Sequence, residues 1–166
     1  SEVDWFGERR IDYVFGCDAN FGIFKRDLEI AEYLAKTKVE KGHPKEFRVC
    51  FAKNSTERIF RVARVLHDVD MSKGASLSMQ SLNKDVLANI KRDNIRLTTY
   101  KELMVMYADN AMETFSEIII GLPGETYETF VDGIDLLLNG GQHSGINIYN
   151  CVIMPNAEMG DPEYQK

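Results

Sequence analysis

Strand-like and helix-like segments alternate along this chain, and that alternation constrains the fold more than any other feature of the sequence. Short runs rich in β-branched and aromatic residues are each followed by a stretch whose apolar residues recur three and four positions apart. Repetition in this order favours parallel strands joined by right-handed helical crossovers. We predict strands at residues 11–15, 47–51, 75–79, 115–120 and 146–153.

Helix starts and ends can also be recognised in the sequence. Asn, Ser and Thr residues stand where they can cap a first turn, and glycines follow the ends of the first and last helical stretches. The first predicted helix occupies residues 26–41, and the second follows a capping box at 54–57. The third runs from 83 to about 93, the fourth begins at 99, and the fifth begins at 126 or 127.

The bulk composition indicates one globular domain. At 166 residues and 44% hydrophobic content, the chain can bury one sizeable core, so we predict a single domain over residues 1–166.

No apolar run approaches the ~20 residues that span a bilayer, and the acidic start lacks the features of a signal peptide. We therefore expect a cytoplasmic protein that does not bind membranes. Residues 114–166 carry eight acidic groups against Lys166 alone, which argues against nucleic-acid binding.

The cysteines and histidines show no metal-binding pattern. Cys17, Cys50 and Cys151 are odd in number and far apart, so they define neither a zinc site nor a disulfide framework. Each lies in or beside an apolar run, and we expect all three to be buried as small hydrophobic residues. The three histidines lack ligand spacing. We predict no metal-ligating residue in this chain.

Polar or ligand-type residues follow every predicted strand, at positions 18–21, 53–54, 80–81, 121 and 154–155. The fourth of these is the most informative, because three isoleucines end at Gly121, where a ligand can approach the main chain, and Pro123-Gly124 supplies a turn before the next helix. In a parallel sheet all five positions share one rim, where βα folds bind ligands. A flat doubly wound sheet and an open slice of a barrel both satisfy this pattern, since five strands are too few to close the usual eight-stranded barrel.

Taken in order, four segments closely resemble the core of the radical SAM superfamily, enzymes that use a [4Fe-4S] cluster to cleave S-adenosylmethionine reductively. The segments are Asp18-Ala19-Asn20-Phe21, Leu77-Ser78-Met79-Gln80-Ser81, residues 117–126 and residues 149–155. They are similar to the second, fourth, fifth and sixth strands of the cobalamin-associated branch. The resemblance implies an α/β fold: a partial, open TIM-type βα barrel of about five parallel strands in sequential order, with helices on the outer face.

A pair of residues carries the most specific part of the resemblance. In relatives with Gln-Ser at the end of the fourth strand, the Gln and an Arg twelve residues later hold the methionyl part of the cofactor; Gln80 and Arg92 stand at that spacing here. A guanidinium fork suits a carboxylate, and a neutral amide can bond an amine or a ribose hydroxyl. Without the resemblance, Arg92 is a solvated charge at a helix end.

The resemblance implies further contacts to S-adenosylmethionine, mostly from the main chain. Residues 18–21 would face its amino group, although an Asx turn also explains them. Gly121 and Leu122 would flank the adenine, and residues 152–154 would offer it main-chain groups. Glu117 stands where some relatives carry an acid that touches the cofactor, whereas Lys53 replaces an acid that others carry. The implied cofactor-binding residues are Asp18, Asn20, Phe21, Gln80, Ser81, Arg92, Glu117, Gly121, Leu122 and Met154.

One defining motif of the superfamily, Cys-x-x-x-Cys-x-x-Cys after the first strand, is absent from this sequence. Three closely spaced thiolates are needed to hold such a cluster while one iron stays open to the cofactor. We therefore expect a fragment of a longer enzyme, inactive by itself, with no tightly bound cofactor and no assignable catalytic residue. The parent would bind S-adenosylmethionine, a [4Fe-4S] cluster and, by its branch, cobalamin. Its small-molecule substrate is not readable from these residues.

Two other functions compete with this interpretation. One is a flavodoxin-like α/β domain that binds a nucleotide or phosphate at the same rim, although no Gly-rich phosphate loop follows the first strand. The other is a non-catalytic interaction module that self-associates through open sheet edges. A strand order of 2-1-3-4-5 would favour the flavodoxin-like fold, and a sequential order favours the open barrel.

Overall fold

The computed structural model describes residues 1–52 and 57–164, and strands and helices alternate within them as predicted. The strands are β1 Tyr13–Phe21, β2 Glu46–Phe51, β3 Gly74–Gln80, β4 Glu113–Ile120 and β5 Gly145–Asn150. The helices are α1 Glu2–Glu8, α2 Lys25–Lys41, α3 Glu57–His67, α4 Lys84–Asn89, α5 Leu97–Asp109 and α6 Tyr127–Asn139, followed by a 3₁₀ turn at Glu158–Gly160. Lys53 and the first three residues of the predicted capping box lie outside the described residues.

The strands pair in parallel and in sequence order, but they form two sheets. β1 pairs with β2, while β3, β4 and β5 form a second sheet. Phe47 N donates a hydrogen bond to Met71 O at 3.0 Å beside the start of β2, and a cleft of about 1020 Å³ is lined by residues of both sheets. The sequential order confirms the predicted open barrel and excludes the flavodoxin-like order.

Helix α3 packs against both sheets and joins their cores. Its Val62 and Leu66 belong to a buried cluster with residues of β1, β2 and α2. Its Phe60 and Ala63 belong to a second cluster with residues of β3, β4 and α5. One amphipathic helix thus buries apolar surface on two neighbouring sheets. It holds the sheets side by side, although within residues 1–52 and 57–164 no strand ladder connects them.

Each sheet has a helix-covered face and an open face. In β3 the side chains at 75, 77 and 79 are buried against helices, and the alternate positions 76, 78 and 80 are partly exposed. β4 alternates in the same way. The open face of β2 to β5 lines the cleft, together with Phe15 of β1. Period-two alternation therefore places polar side chains of several strands in one concave surface.

The prediction that all three cysteines are buried was wrong. Cys17 and Cys50 are exposed, and Cys151 is partly exposed. Gly16 pairs with Val49, so the residues that follow them, Cys17 and Cys50, lie on the opposite, open face of the sheet. The apolar runs around these cysteines suggested two buried faces, but helices cover only one face of this two-stranded sheet.

Several element boundaries differ from those predicted. β1 continues to Phe21, because after an irregular stretch Phe21 pairs with Phe51. β5 ends at Asn150 rather than residue 153, and a hydrogen bond of 2.9 Å from Cys151 N to Ile120 O is the last link to β4. α4 ends at Asn89 because the chain turns at Lys91, which has a φ of 51°.

Helix α1 was not predicted. Ser1 and Asp4 form a reciprocal capping box at its start, with Asp4 N donating to Ser1 Oγ at 3.3 Å. The helix contacts α2 through a hydrogen bond of 2.7 Å from Tyr33 Oη to Asp4 Oδ1. Among the described residues, no helix combines the length and apolarity that a bilayer crossing requires.

Candidate cofactor site

The candidate site lies at the carboxyl ends of β3 and β4. Gln80 ends β3 and Ser81 follows it, and residues 121–125, here called the 121–125 turn, follow β4. The ladder between the two strands shifts register at this point, pairing Gln80 with Ile118. Gln80 has a φ of 62°, a conformation that costs a non-glycine residue about 1–2 kcal/mol. The backbone at this strand end is therefore held in a special shape by its surroundings.

Arg92 reaches this strand end from the loop after α4. Its guanidinium donates hydrogen bonds to Ser78 O and, at 3.0 Å from Nε, to Asn94 Oδ1. The side chain is partly buried, and burial lowers the pKa of its guanidinium, to which no carboxylate of the described residues contributes. A partly desolvated cation without an acidic partner is a favourable place for an anionic ligand group.

Asn94 fixes the strand end that Arg92 approaches. Its Nδ2 donates to Met79 O and to Ser81 O, each at 2.8 Å. These two carbonyls flank Gln80, so Asn94 stabilises the positive φ of that residue. Asn94 was not predicted from the sequence; its spacing of two residues from Arg92 is the signal that could have suggested it.

Ser81 joins the end of β3 to the 121–125 turn. Its side chain is buried at 3% exposure, its Oγ donates to Glu125 Oε1 at 2.7 Å, and it accepts a hydrogen bond from Asn83 N at 3.2 Å. A second link runs from Asn89 Nδ2 to Pro123 O at 2.9 Å. The Ser81 hydroxyl therefore faces the turn, and Gln80 remains the member of the Gln-Ser pair that borders the open side.

The 121–125 turn presents main chain rather than side chains. Gly121 has a φ of 86° and is exposed, and a methyl group added there would meet only Cys151 Cβ, at 3.8 Å. The side chain of Leu122 is buried, which leaves its backbone for any contact with a ligand. The missing side chain leaves the Gly121 backbone accessible at this point, as close approach of a ligand requires.

The last residues of β1 contain the turn that the sequence also allowed. Asp18 Oδ1 accepts a hydrogen bond of 2.8 Å from Asn20 N, an Asx turn, and Asn20 is exposed. Phe21 is buried and packs edge to face on Phe47, with ring centroids 5.8 Å apart. Its side chain belongs to the core, so only its main chain could contact a ligand.

Asp27, which was not predicted as a site residue, orders the next part of this segment. It is 1% exposed, and its Oδ2 accepts hydrogen bonds of 2.9 Å from both Gly22 N and Phe24 N. A buried carboxylate satisfied by two backbone donors orders the turn that precedes α2. The sequence signal that could have identified Asp27 is the presence of an acidic residue in the first turn of α2.

Glu117 and Met154 lie at the margins of the site. Glu117 lines the cleft on the open face of β4 and accepts a hydrogen bond from Ser78 Oγ. Met154 follows β5 and is 63% exposed. The chain after it turns back, because Lys91 contacts Glu158 and Tyr164 Oη donates to Asn89 O.

The predicted residues thus fall into one connected group and two separate ones. Hydrogen bonds join Ser81, Arg92 and Glu117 to β3 or to the 121–125 turn. Gln80 is the last residue of β3, and the turn contains Gly121 and Leu122. Residues 18–21 lie in the other sheet, at the carboxyl end of β1, and Met154 lies beyond β5. All of them share the strand-end rim that parallel pairing defines.

The described residues fit S-adenosylmethionine better than they fit an iron–sulfur cluster. Arg92 suits the carboxylate of the cofactor, and the exposed backbone at Gly121 suits its adenine. In residues 1–52 and 57–164, however, no group of three His, Cys, Asp or Glu side chains could hold a metal ion. The thiolates that a cluster requires are not assembled by this part of the chain.

Comparison with known proteins identifies relatives along nearly the whole chain, although no family model matches it. Over 98% of its length it is 46% identical to the cobalamin-dependent radical SAM methyltransferase TokK of Streptomyces tokunonensis. It is 47% identical to the 2-(S-pantetheinyl)-carbapenam-3-carboxylate methyltransferase of Streptantibioticus cattleyicolor, also over 98% of its length. The chain spans only 24% of the length of each relative.

Solved structures with the same fold are also radical SAM enzymes. Coproporphyrinogen III oxidase (HemN) from Escherichia coli superposes with a TM-score of 0.67 at 16% identity, over 92% of this chain and 36% of that one. The radical S-adenosylmethionine methyltransferase TsrM from Kitasatospora setae, bound to cobalamin and a [4Fe-4S] cluster, gives 0.64 at 14% identity, over 89% and 27%. Fold and sequence agree with the resemblance in the motifs, and neither competing interpretation is favoured. The chain belongs to the radical SAM superfamily, as a segment of the core found in its cobalamin-dependent methyltransferases.

Proposed function

We propose that this chain forms the S-adenosylmethionine-binding part of a cobalamin-dependent radical SAM methyltransferase. The observation that carries the proposal is the placement of Arg92, a partly buried cation that hydrogen bonds to Ser78 O and Asn94 hold beside the end of β3, and that has no carboxylate partner among the described residues. The identity to methyltransferases over 98% of the chain supports the reaction type.

In this proposal Arg92 holds the carboxylate of the cofactor and Gln80 bonds its amine or a ribose hydroxyl. The exposed backbone of Gly121 forms one wall for the adenine, and residues 152–154 offer it main-chain groups. The cluster, when present in the complete enzyme, supplies the electron for cleavage of the cofactor. We propose that its ligands and the cobalamin site lie in other parts of a longer protein.

We propose a small-molecule substrate rather than a nucleic acid. The cleft on the open face combines the aromatic residues Phe115 and Tyr149 with Arg48, Asn147 and Glu117, a mixture that suits a small ligand with an apolar body and polar groups. One relative is named for its substrate, a pantetheinyl carbapenam carboxylate, so we propose a substrate of that class. A reduced cytoplasmic location would suit the free thiols and the cluster, and the open strand edges would let the isolated chain self-associate.

The test uses the full-length protein, prepared without oxygen and with its cluster and cobalamin. It is incubated with S-adenosylmethionine, a reductant and 2-(S-pantetheinyl)-carbapenam-3-carboxylate, and products are followed by mass spectrometry. We expect a product heavier than the substrate by one methylene group. Failure to bind S-adenosylmethionine would overturn the whole proposal, whereas binding without methylation of this compound would overturn only the substrate class.

A further inference from the structure

Glu125 is a carboxylate with one partnered and one unpartnered oxygen at the base of the 121–125 turn. Its Oε1 accepts the 2.7 Å hydrogen bond from Ser81 Oγ. Its Oε2 is buried and receives no hydrogen bond from the residues the structure describes. Burying a carboxylate in this way is costly, so its presence beside the candidate site calls for a role.

The burial of Oε2 keeps it out of direct contact with a cofactor. A cavity of about 10 Å³ adjoins Glu125, and it is lined by Gln80 and Ser81 together with the apolar side chains of Leu82, Ile118 and Phe130. A space of this size holds about one water molecule. Any effect of Glu125 on a ligand must therefore pass through its neighbours, Ser81 and Gln80.

The 121–125 turn is fastened at two points to the segment that follows β3. Ser81 holds Glu125 at one end, and Asn89 holds Pro123 O at 2.9 Å in the middle. The fit at the second point is tight, because a methyl group added at Gly124 would come within 2.6 Å of Asn89 Nδ2. Both fastening side chains come from the stretch that begins with Gln80.

We infer that Glu125 is a positioning residue. Its hydrogen bond with Ser81 fixes the 121–125 turn relative to Gln80, and so fixes the distance between the Gly121 backbone, which would flank the adenine, and Gln80, which would bind the methionyl part of the cofactor. This inference rests on the proposed function. A hydrogen bond to an ionised acceptor is stronger than a neutral one, which makes the carboxylate an effective fastener between two loops that otherwise share few polar contacts.

The test compares steady-state kinetics of the full-length holoenzyme with varied S-adenosylmethionine. In E125A we expect the KM for S-adenosylmethionine to rise about tenfold, as loss of one charge-assisted hydrogen bond allows, with kcat nearly unchanged. E125Q keeps an oxygen for Ser81 and should restore KM to within about threefold of the wild type. E128A removes an exposed acid three residues later and should leave both constants unchanged.

A double variant separates positioning from direct contact. S81A and E125A break the same hydrogen bond, so the double variant should have about the same KM as E125A alone. Multiplied effects, an unchanged KM in E125A, or no recovery in E125Q would overturn the inference. If E125A does not fold, S81A and E125Q carry the same test. A wild-type protein that binds no S-adenosylmethionine would instead contradict the proposed function itself.

Discussion

Arg92 and Ser78 are joined by a hydrogen bond from the guanidinium of Arg92 to the main-chain carbonyl oxygen of Ser78. A second bond, from Nε to Asn94 at 3.0 Å, fixes the plane of the same guanidinium. The fold itself therefore orients the cation beside Ser78, which lies two residues before the end of β3 at Gln80. A ligand that meets an already oriented charge loses less conformational entropy on binding.

We expect Gly121 to contribute both to stability, through its backbone conformation, and to cofactor binding, through ligand access. Its φ of 86° makes an L-residue unfavourable, so G121A should lower the free energy of unfolding by about 1–2 kcal/mol in urea denaturation. Gly42 is a matched control, because its φ is 75° and an added methyl group would meet nothing within 4 Å. Both variants should lose similar stability, and only G121A should weaken binding of S-adenosylmethionine by the full-length protein. Equal binding by the two variants would remove Gly121 from the site.

Asp27 should contribute strongly to stability although it is charged and buried. D27A leaves the N–H groups of Gly22 and Phe24 without their acceptor, and we expect a loss of about 2–4 kcal/mol in the free energy of unfolding. Glu29, on the exposed side of the same helix turn, is the control, and E29A should change stability by less than about 0.5 kcal/mol. A D27A chain as stable as the parent would show that these backbone groups are satisfied by other means.

The 166-residue chain should not assemble an iron–sulfur cluster. Cys17 and Cys50 are exposed on the first sheet, Cys151 follows β5 in the second, and the described residues provide no three-ligand group. Anaerobic incubation with iron and sulfide should therefore give no [4Fe-4S] absorption after desalting. A stoichiometric cluster, lost when the three cysteines are replaced by alanine, would show that the cysteines can be brought together.

The fold followed from the sequence where the periodicity was local and strong. The five strands and most helices were predicted because alternation and capping signals act within one element. The split into two sheets was not, because it depends on how β2 and β3 meet through Phe47 and Met71. The exposure of Cys17 and Cys50 likewise depends on which face the helices cover, and a short apolar run does not encode that choice.

The candidate site was predicted in part for the same reason. Gln80, Arg92 and Gly121 belong to recognisable local motifs, and the structure places them at neighbouring strand ends. Asn94 and Glu125 near these residues, and Asp27 at the turn before α2, were not predicted because they act through hydrogen bonds that only the folded chain creates. The motif also suggested Ser81 as a cofactor residue, yet its hydroxyl is engaged by Glu125, 44 residues away.

Affinity for S-adenosylmethionine in Arg92 variants decides whether Arg92 binds the cofactor. The full-length holoprotein is compared with R92A, with R92K and with R96A, a control at an exposed arginine four residues away, by equilibrium dialysis. Loss of a charge-assisted contact to the carboxylate should weaken binding by about 1.5–3 kcal/mol in R92A. R92K should restore only part of that loss, because lysine lacks the planar fork, and R96A should bind like the wild type. If R92A binds S-adenosylmethionine as tightly as R96A does, Arg92 is a structural residue and the proposed cofactor site is contradicted.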